Sequence, residues 1–136
     1  MTEADVITQM VEYQNILLMG VSVFFTIISA YLVAIWAFLR RASLNMRVFS
    51  FFFLSLVIAF LGRLGYGSAL IHDGLVQTLR QIAQTDGLSP AGLAELGNAA
   101  SGANAMIQNS MFIAIIIVYI ALFFLTFFAR STLKDI

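Results

Sequence analysis

Three long apolar runs constrain this chain more than any other feature. Tyr13 to Leu39 carries no charge. Val48 to Gly62 is also charge-free, is interrupted by Arg63, and resumes from Leu64 to Ile71. Met111 to Ala129 has only Thr126 and the Tyr119 hydroxyl as polar groups. Crossing the hydrocarbon takes about 20 apolar residues in helix, so the runs predict an all-α membrane protein with three transmembrane helices. Composition agrees. Hydrophobic residues make up 61% of the 136 and charged residues 10%, against about 45–50% and about 25% in a soluble domain. A cleavable signal peptide fits the first run poorly, because Glu3, Asp5 and Glu12 stand where a basic leader belongs.

Basic residues orient the spans. Arg40, Arg41 and Arg47 lie between runs one and two, and Arg130 and Lys134 follow run three. With three spans these five share a side, while Arg80 is the one basic residue of the other external segment. Basic residues stay in the cytoplasm, so the N-terminus is expected outside and the C-terminus inside, in a bacterial inner membrane. The expected layout is one membrane domain: external tail 1–12, first span 13–39, cytoplasmic turn 40–47, second span 48–71, external helical segment 72–105, third span 106–129, cytoplasmic tail 130–136.

The external segment carries helical patterning of its own. Leu75, Val76, Leu79, Ile82 and Ala83 fall on one helical face, opposite Gln77, Arg80, Gln81 and Gln84. Asp86-Gly87 breaks the helix, and Ser89-Pro90 restarts it with serine as N-cap and proline in the first turn. Beyond Pro90, apolar and small residues step by three and four from Leu93 to Phe128 without a break. The pattern predicts a helical hairpin: one arm from Leu44 to Thr85, a turn over Asp86–Ser89, and a continuous return arm from Pro90 to about Arg130. Glycines at 62, 65, 67 and 74 argue for an alternative. Each weakens a helix by about 1 kcal/mol, so helix two would end near Gly62–Gly67 and Asp73–Thr85 would lie along the membrane surface.

Chemistry-bearing groups are sparse. There is no cysteine and one histidine, His72, which excludes disulfides, thiolate metal sites and bis-histidine haem within one chain. No catalytic residues, cofactor site or metal site are expected, and seven basic against seven acidic residues invite no nucleic acid. Arg63 sits near the outer end of span two, where it needs partners. Glu12, Asp73, Gln108 and Asn109 complete an expected outer polar cluster. His72 reads as a solvated polar residue. Gly65-Tyr66-Gly67 resembles the core of a potassium filter in letters only, since a pore helix and the preceding threonine-valine are missing.

Small residues form expected packing faces: Ser22, Thr26, Ala30 and Ala34 on helix one, Ala59 and Gly62 on helix two, and Ala100, Ala103, Ser110, Ala114 and Ala121 on helix three. Such faces serve internal packing or contact with another subunit. The functional expectation is a non-catalytic membrane subunit that works through helix–helix contacts. It would be an accessory subunit of a membrane complex or a self-associating scaffold, with the lipid bilayer, copies of itself or other membrane subunits as partners. The alternative is a homo-oligomeric channel or holin-like pore.

Overall fold

The computed structural model describes residues 1–132, and side chains through Phe128. All regular structure among them is helical: α1 (Glu3–Ala37), a 3₁₀ turn (Leu39–Arg41), α2 (Leu44–Thr85), α3 (Pro90–Ala100) and α4 (Ala103–Thr132). Among the described residues, α1, α2 and α4 are each long and apolar enough to cross a membrane. The chain is a multi-pass membrane protein. Residues 133–136, including Lys134, lie outside the described residues, as does the Arg130 side chain.

Helix α2 runs unbroken through Gly62, Gly65, Gly67 and Gly74 to Thr85, so the alternative with a helix end at Gly62–Gly67 does not hold. Its 42 residues extend about 63 Å at 1.5 Å per residue. The turn at Asp86–Ser89 forms as the sequence predicts, with Gly87 at φ 74°. Ser89 is the N-cap of α3, its hydroxyl accepting from the Gly92 amide at 3.4 Å.

Two expectations change. The return arm is not one helix, because α3 ends at Ala100 and α4 begins at Ala103. Gly102 has φ 73°, and its amide donates to the Ala99 carbonyl at 3.4 Å. A glycine in this left-handed conformation just past the last turn is a common helix stop. In addition, residues 3–12 are not a tail but the first turns of α1. Thr2 and Asp5 start that helix reciprocally. The Asp5 carboxylate accepts from the Thr2 amide at 2.9 Å, and the Thr2 hydroxyl accepts from the Asp5 amide at 3.3 Å, as in a capping box.

Contacts divide the chain into two compact units. The first comprises Met1–Gly20 and Arg63–Ser110, the second Val21–Gly62 and Met111–Ile136. The first unit has an aliphatic core of Val6, Met10, Leu75, Val76 and Leu79, against which Ile82, Leu88, Leu96 and Ala99 pack. Val6 and Met10 are four apart on α1, while Leu75, Val76 and Leu79 are the face expected of the external segment. The second unit is built on Ile28, Ile35, Leu39, Leu54 and Leu122, with Phe24, Tyr31, Phe51 and Val118 among the residues packed around them.

Candidate functional site

The expected outer cluster assembles only in part. Glu12 and Asn109 are exposed. Arg63 is exposed too, and its guanidinium lies over the Tyr66 ring at 5.8 Å instead of pairing with Glu12. Three residues after Arg63 on α2, that ring is within easy reach, whereas an exposed arginine has no need of a buried partner. Asp73 is 75% exposed, with its carboxylate 4.0 Å from His72 Nδ1. Gln108 is drawn in, donating from Nε2 to the Tyr13 hydroxyl at 3.0 Å.

The group that organises this region is His72, which is 4% exposed and not solvated as its sequence position suggests. Its ring stacks on Tyr13 with centroids 4.5 Å apart and planes at 29°. Tyr13 is buried as well. Helices α1, α2 and α4 thus meet in the first unit through Tyr13, His72 and Gln108. Nearby, Glu3 receives the Ser89 amide at 3.0 and 3.2 Å and also the Ser89 hydroxyl. That places a carboxylate at the N-terminus of α3, where the helix dipole favours negative charge. Gly92 is buried beneath it, and a Cβ there would meet Glu3 Oε1 and Leu88.

The second unit has a polar centre that sequence reasoning missed. Arg47 counted only as a basic residue of the turn, yet it is 5% exposed. Its Nε donates to the Leu39 carbonyl at 3.0 Å and its Nη2 to the Arg40 carbonyl at 2.9 Å. A longer contact of 3.5 Å runs from Nη1 to the Thr126 carbonyl. The Leu39 carbonyl also accepts from the Ala42 amide at 3.1 Å, and the planar fork of arginine suits several acceptors at once. Thr126 is itself buried, donating to the Leu122 carbonyl at 2.6 Å and sharing a 2.9 Å hydrogen bond with the Tyr31 hydroxyl. Two turns away, the Ser55 hydroxyl bonds the Phe51 carbonyl and the Tyr119 hydroxyl, each at 2.8 Å. Among the described residues, no buried side-chain nitrogen or oxygen lacks a partner.

The phenylalanine clusters divide by face. Phe51 packs on Tyr119, Phe123 and Phe127, while Phe52 and Phe53 point outward. Gly65-Tyr66-Gly67 lies inside α2, so its carbonyls serve the helix and cannot line a filter. An apolar groove of about 580 Å³ runs between α1 and α2 in the second unit, from Ile27 to Phe38 on one wall and from Met46 to Val57 on the other.

The small faces are mostly left uncovered. Ser22, Thr26, Ala30, Ala59, Gly62, Ala100, Ser110, Ala114 and Ala121 are exposed, whereas Ala34 and Ala103 are half-buried. Ala34 packs against the second core. The covered face of α4 is a different one, defined by Gln108, Met111, Ile115, Val118, Leu122 and Thr126. Comparison with protein-family models, curated proteins and solved structures gives no match to this chain.

Proposed function

We propose that this protein is a non-catalytic subunit of a membrane assembly, held through helix–helix contacts with copies of itself or with other membrane subunits. One observation carries the reading. In both α3 and α4 the residues of the three-four stripe from Leu93 to Phe128 are exposed, and only Leu96 and Ala103 among them are partly covered. Large apolar residues on such a face are satisfied by lipid. Small ones make little contact with lipid tails and instead let a second backbone approach closely. The spans also cover little of one another. In the most apolar 18-residue stretches of α1, α2 and α4, 6%, 6% and 11% of residues are buried.

The proposed orientation is N-terminus out and C-terminus in, across a bacterial inner membrane, supported by the five-to-one division of basic residues. Labelling of single cysteines from outside intact cells should mark Thr85→Cys and spare Ser131→Cys. Equal labelling of both would reverse or discard this arrangement.

The assembly reading is tested by mass in mild detergent and in nanodiscs. The wild-type chain should run as an oligomer or carry a co-purifying protein, and Ala114→Leu with Ala121→Leu should reduce that mass while helical content stays unchanged. A monodisperse monomer with nothing bound would refute it. A pore finds less support. The polar groups available to line one include Ser22 and Thr26, and the Thr26 hydroxyl is already bonded to the Ser22 carbonyl at 2.9 Å, as in ordinary packed helices. Purified protein in planar bilayers should show no conductance.

A further inference from the structure

We propose that the outward face of α1 that carries Trp36 binds one anionic phospholipid, its phosphate held by Arg40 and Arg41 and an acyl chain laid along the exposed side chains that lead to Trp36.

An apolar strip and a cation meet on this face. Phe25, Ser29, Leu32 and Trp36 are spaced four, three and four, which is a single helical face. All four are exposed, and the face is not the one that enters the core through Ile28 and Ile35. From Phe25 to Trp36 is eleven steps, about 16 Å at 1.5 Å per residue. Half of a hydrocarbon core of about 30 Å is nearly the same depth. Arg40 follows Trp36 by four residues, and its guanidinium lies over the indole ring at 5.8 Å. That contact fixes the cation at the end of the strip and at interfacial depth, where indole rings collect.

The charge at that end is uncompensated. No acidic residue occurs between Glu12 and Asp73. Among the described residues, neither the Arg40 nor the Arg41 side chain has an ion pair or a hydrogen bond. Arg41 is exposed and Arg40 half-buried. Arg47 donates to the Leu39 and Arg40 carbonyls, so it adds a third positive charge to the turn without being free to meet a ligand. The two remaining guanidinium forks suit the oxygens of a phosphate.

Charge and shape together select the occupant. A ligand that satisfies both ends has an anionic group and a hydrocarbon chain one leaflet long, which is an anionic phospholipid. Basic clusters at a membrane surface attract such lipids. A zwitterionic lipid covers the apolar strip equally well but gains less at the arginines. A second copy inserted in the same orientation brings its own Arg40 and Arg41 to the same depth, so the two turns repel.

Trp36 is the sole tryptophan and belongs to the site, so its fluorescence reports binding in the full chain. The protein is reconstituted in mixed phosphatidylglycerol and phosphatidylcholine bilayers, with brominated acyl chains on one lipid and then on the other. Per mole fraction, brominated phosphatidylglycerol should quench more effectively by on the order of tenfold, the advantage two basic residues give at an anionic surface. The pair Arg40→Gln and Arg41→Gln should abolish that preference with helical content unchanged. A second probe separates a site from general attraction to a basic protein. Phe53 is exposed on α2 and lines the groove with Tyr31, so Phe53→Trp combined with Trp36→Phe reads the lipid on another face, where little preference should remain. Excess inorganic phosphate should not displace the lipid. Equal quenching by the two lipids in the wild-type chain would overturn the proposal, as would an undiminished preference in the double arginine variant. An equal preference at both probes would mean general attraction and would overturn it too. So would displacement by free phosphate, or a Trp36 quenched by neither lipid because a second copy covers it in a cross-linked dimer.

Discussion

The two units bury polar groups by opposite means. In the first, the buried set is Tyr13, His72 and Gln108, joined by a ring stack and a hydrogen bond, while the carboxylate of Glu3 stays at the rim on the start of α3. In the second, a cation goes inside and is surrounded by carbonyls of the 3₁₀ turn after α1 and of α4. Both solutions follow helix polarity, with acid at an N-terminal end and base at a C-terminal end. They differ in medium. The first unit carries six of the seven acidic residues, whereas the second carries five of the seven basic ones and the larger part of the apolar runs. A carboxylate on a wet helix end adds modestly to stability, while a buried guanidinium must have acceptors at all.

That contrast predicts a ranking of effects. The largest belongs to Arg47→Gln, which removes a buried fork and leaves the Arg40 carbonyl short of a donor, while the Leu39 carbonyl keeps only the Ala42 amide. A loss on the order of 2 kcal/mol is expected, read by thermal unfolding in detergent followed by circular dichroism. A melting point within a degree of wild type would show that the carbonyls find other donors.

Next come two matched hydroxyl deletions. Tyr13→Phe strands Gln108 Nε2 and should cost about 1 kcal/mol. Tyr31→Phe leaves Thr126 still donating to the Leu122 carbonyl, so about 0.6 kcal/mol is expected, as for an average hydrogen bond between membrane helices. The reverse order would break the comparison between the units.

Glu3→Gln should be smaller, at about 0.5 kcal/mol, since a neutral acceptor keeps the Ser89 contact but loses the charge–dipole part. Hydrogen exchange at the Ser89 and Gly92 amides is the sharper readout and should accelerate.

The smallest effect is one of pH at the start of α1. The hydrogen bond from the Thr2 amide, with that from its hydroxyl, holds the Asp5 carboxyl below the usual carboxylate range. A carboxylate with a depressed folded value stabilises above its unfolded value and loses that contribution as pH falls through the folded one. Protection of the amides in the first turn, taken relative to their intrinsic exchange rate, should therefore fall as the solution is acidified below about pH 4, the ordinary aspartate value, and Asp5→Asn should flatten the response.

Much of the architecture was legible because local signals agreed. Leu44, Thr85, Asp86-Gly87 and Ser89-Pro90 mark the ends of α2 and α3 through turn and capping chemistry that acts within a few residues. Ser101-Gly102 carries a comparable signal, a serine–glycine pair, but the apolar stripe runs through it and masks the stop. The misread residues have something in common. Arg47 looks like any basic residue flanking a span, and His72 like a polar residue at a helix end. Beside the near carbonyls of Leu39 and Arg40, Arg47 meets Thr126, 79 positions away, and His72 is stacked on Tyr13, 59 positions away. Spacing along the chain carries no trace of such partners. The acidic residues before Tyr13 suggested a tail for the same reason, since the contact of Glu3 with Ser89 lies 86 positions away.

Leu122 and Thr126 have a consequence for biogenesis. Synthesis delivers α1 and α2 to the bilayer while α4 is still inside the ribosome. In that interval the space that Leu122 fills among Ile28, Ile35, Leu39 and Leu54 is open. The Tyr31 hydroxyl has no Thr126 to bond, and one arm of the Arg47 guanidinium faces lipid. The two-helix intermediate is thus chemically distinct from the finished unit. It shows the membrane a cation and a phenol that arrival of the last helix conceals.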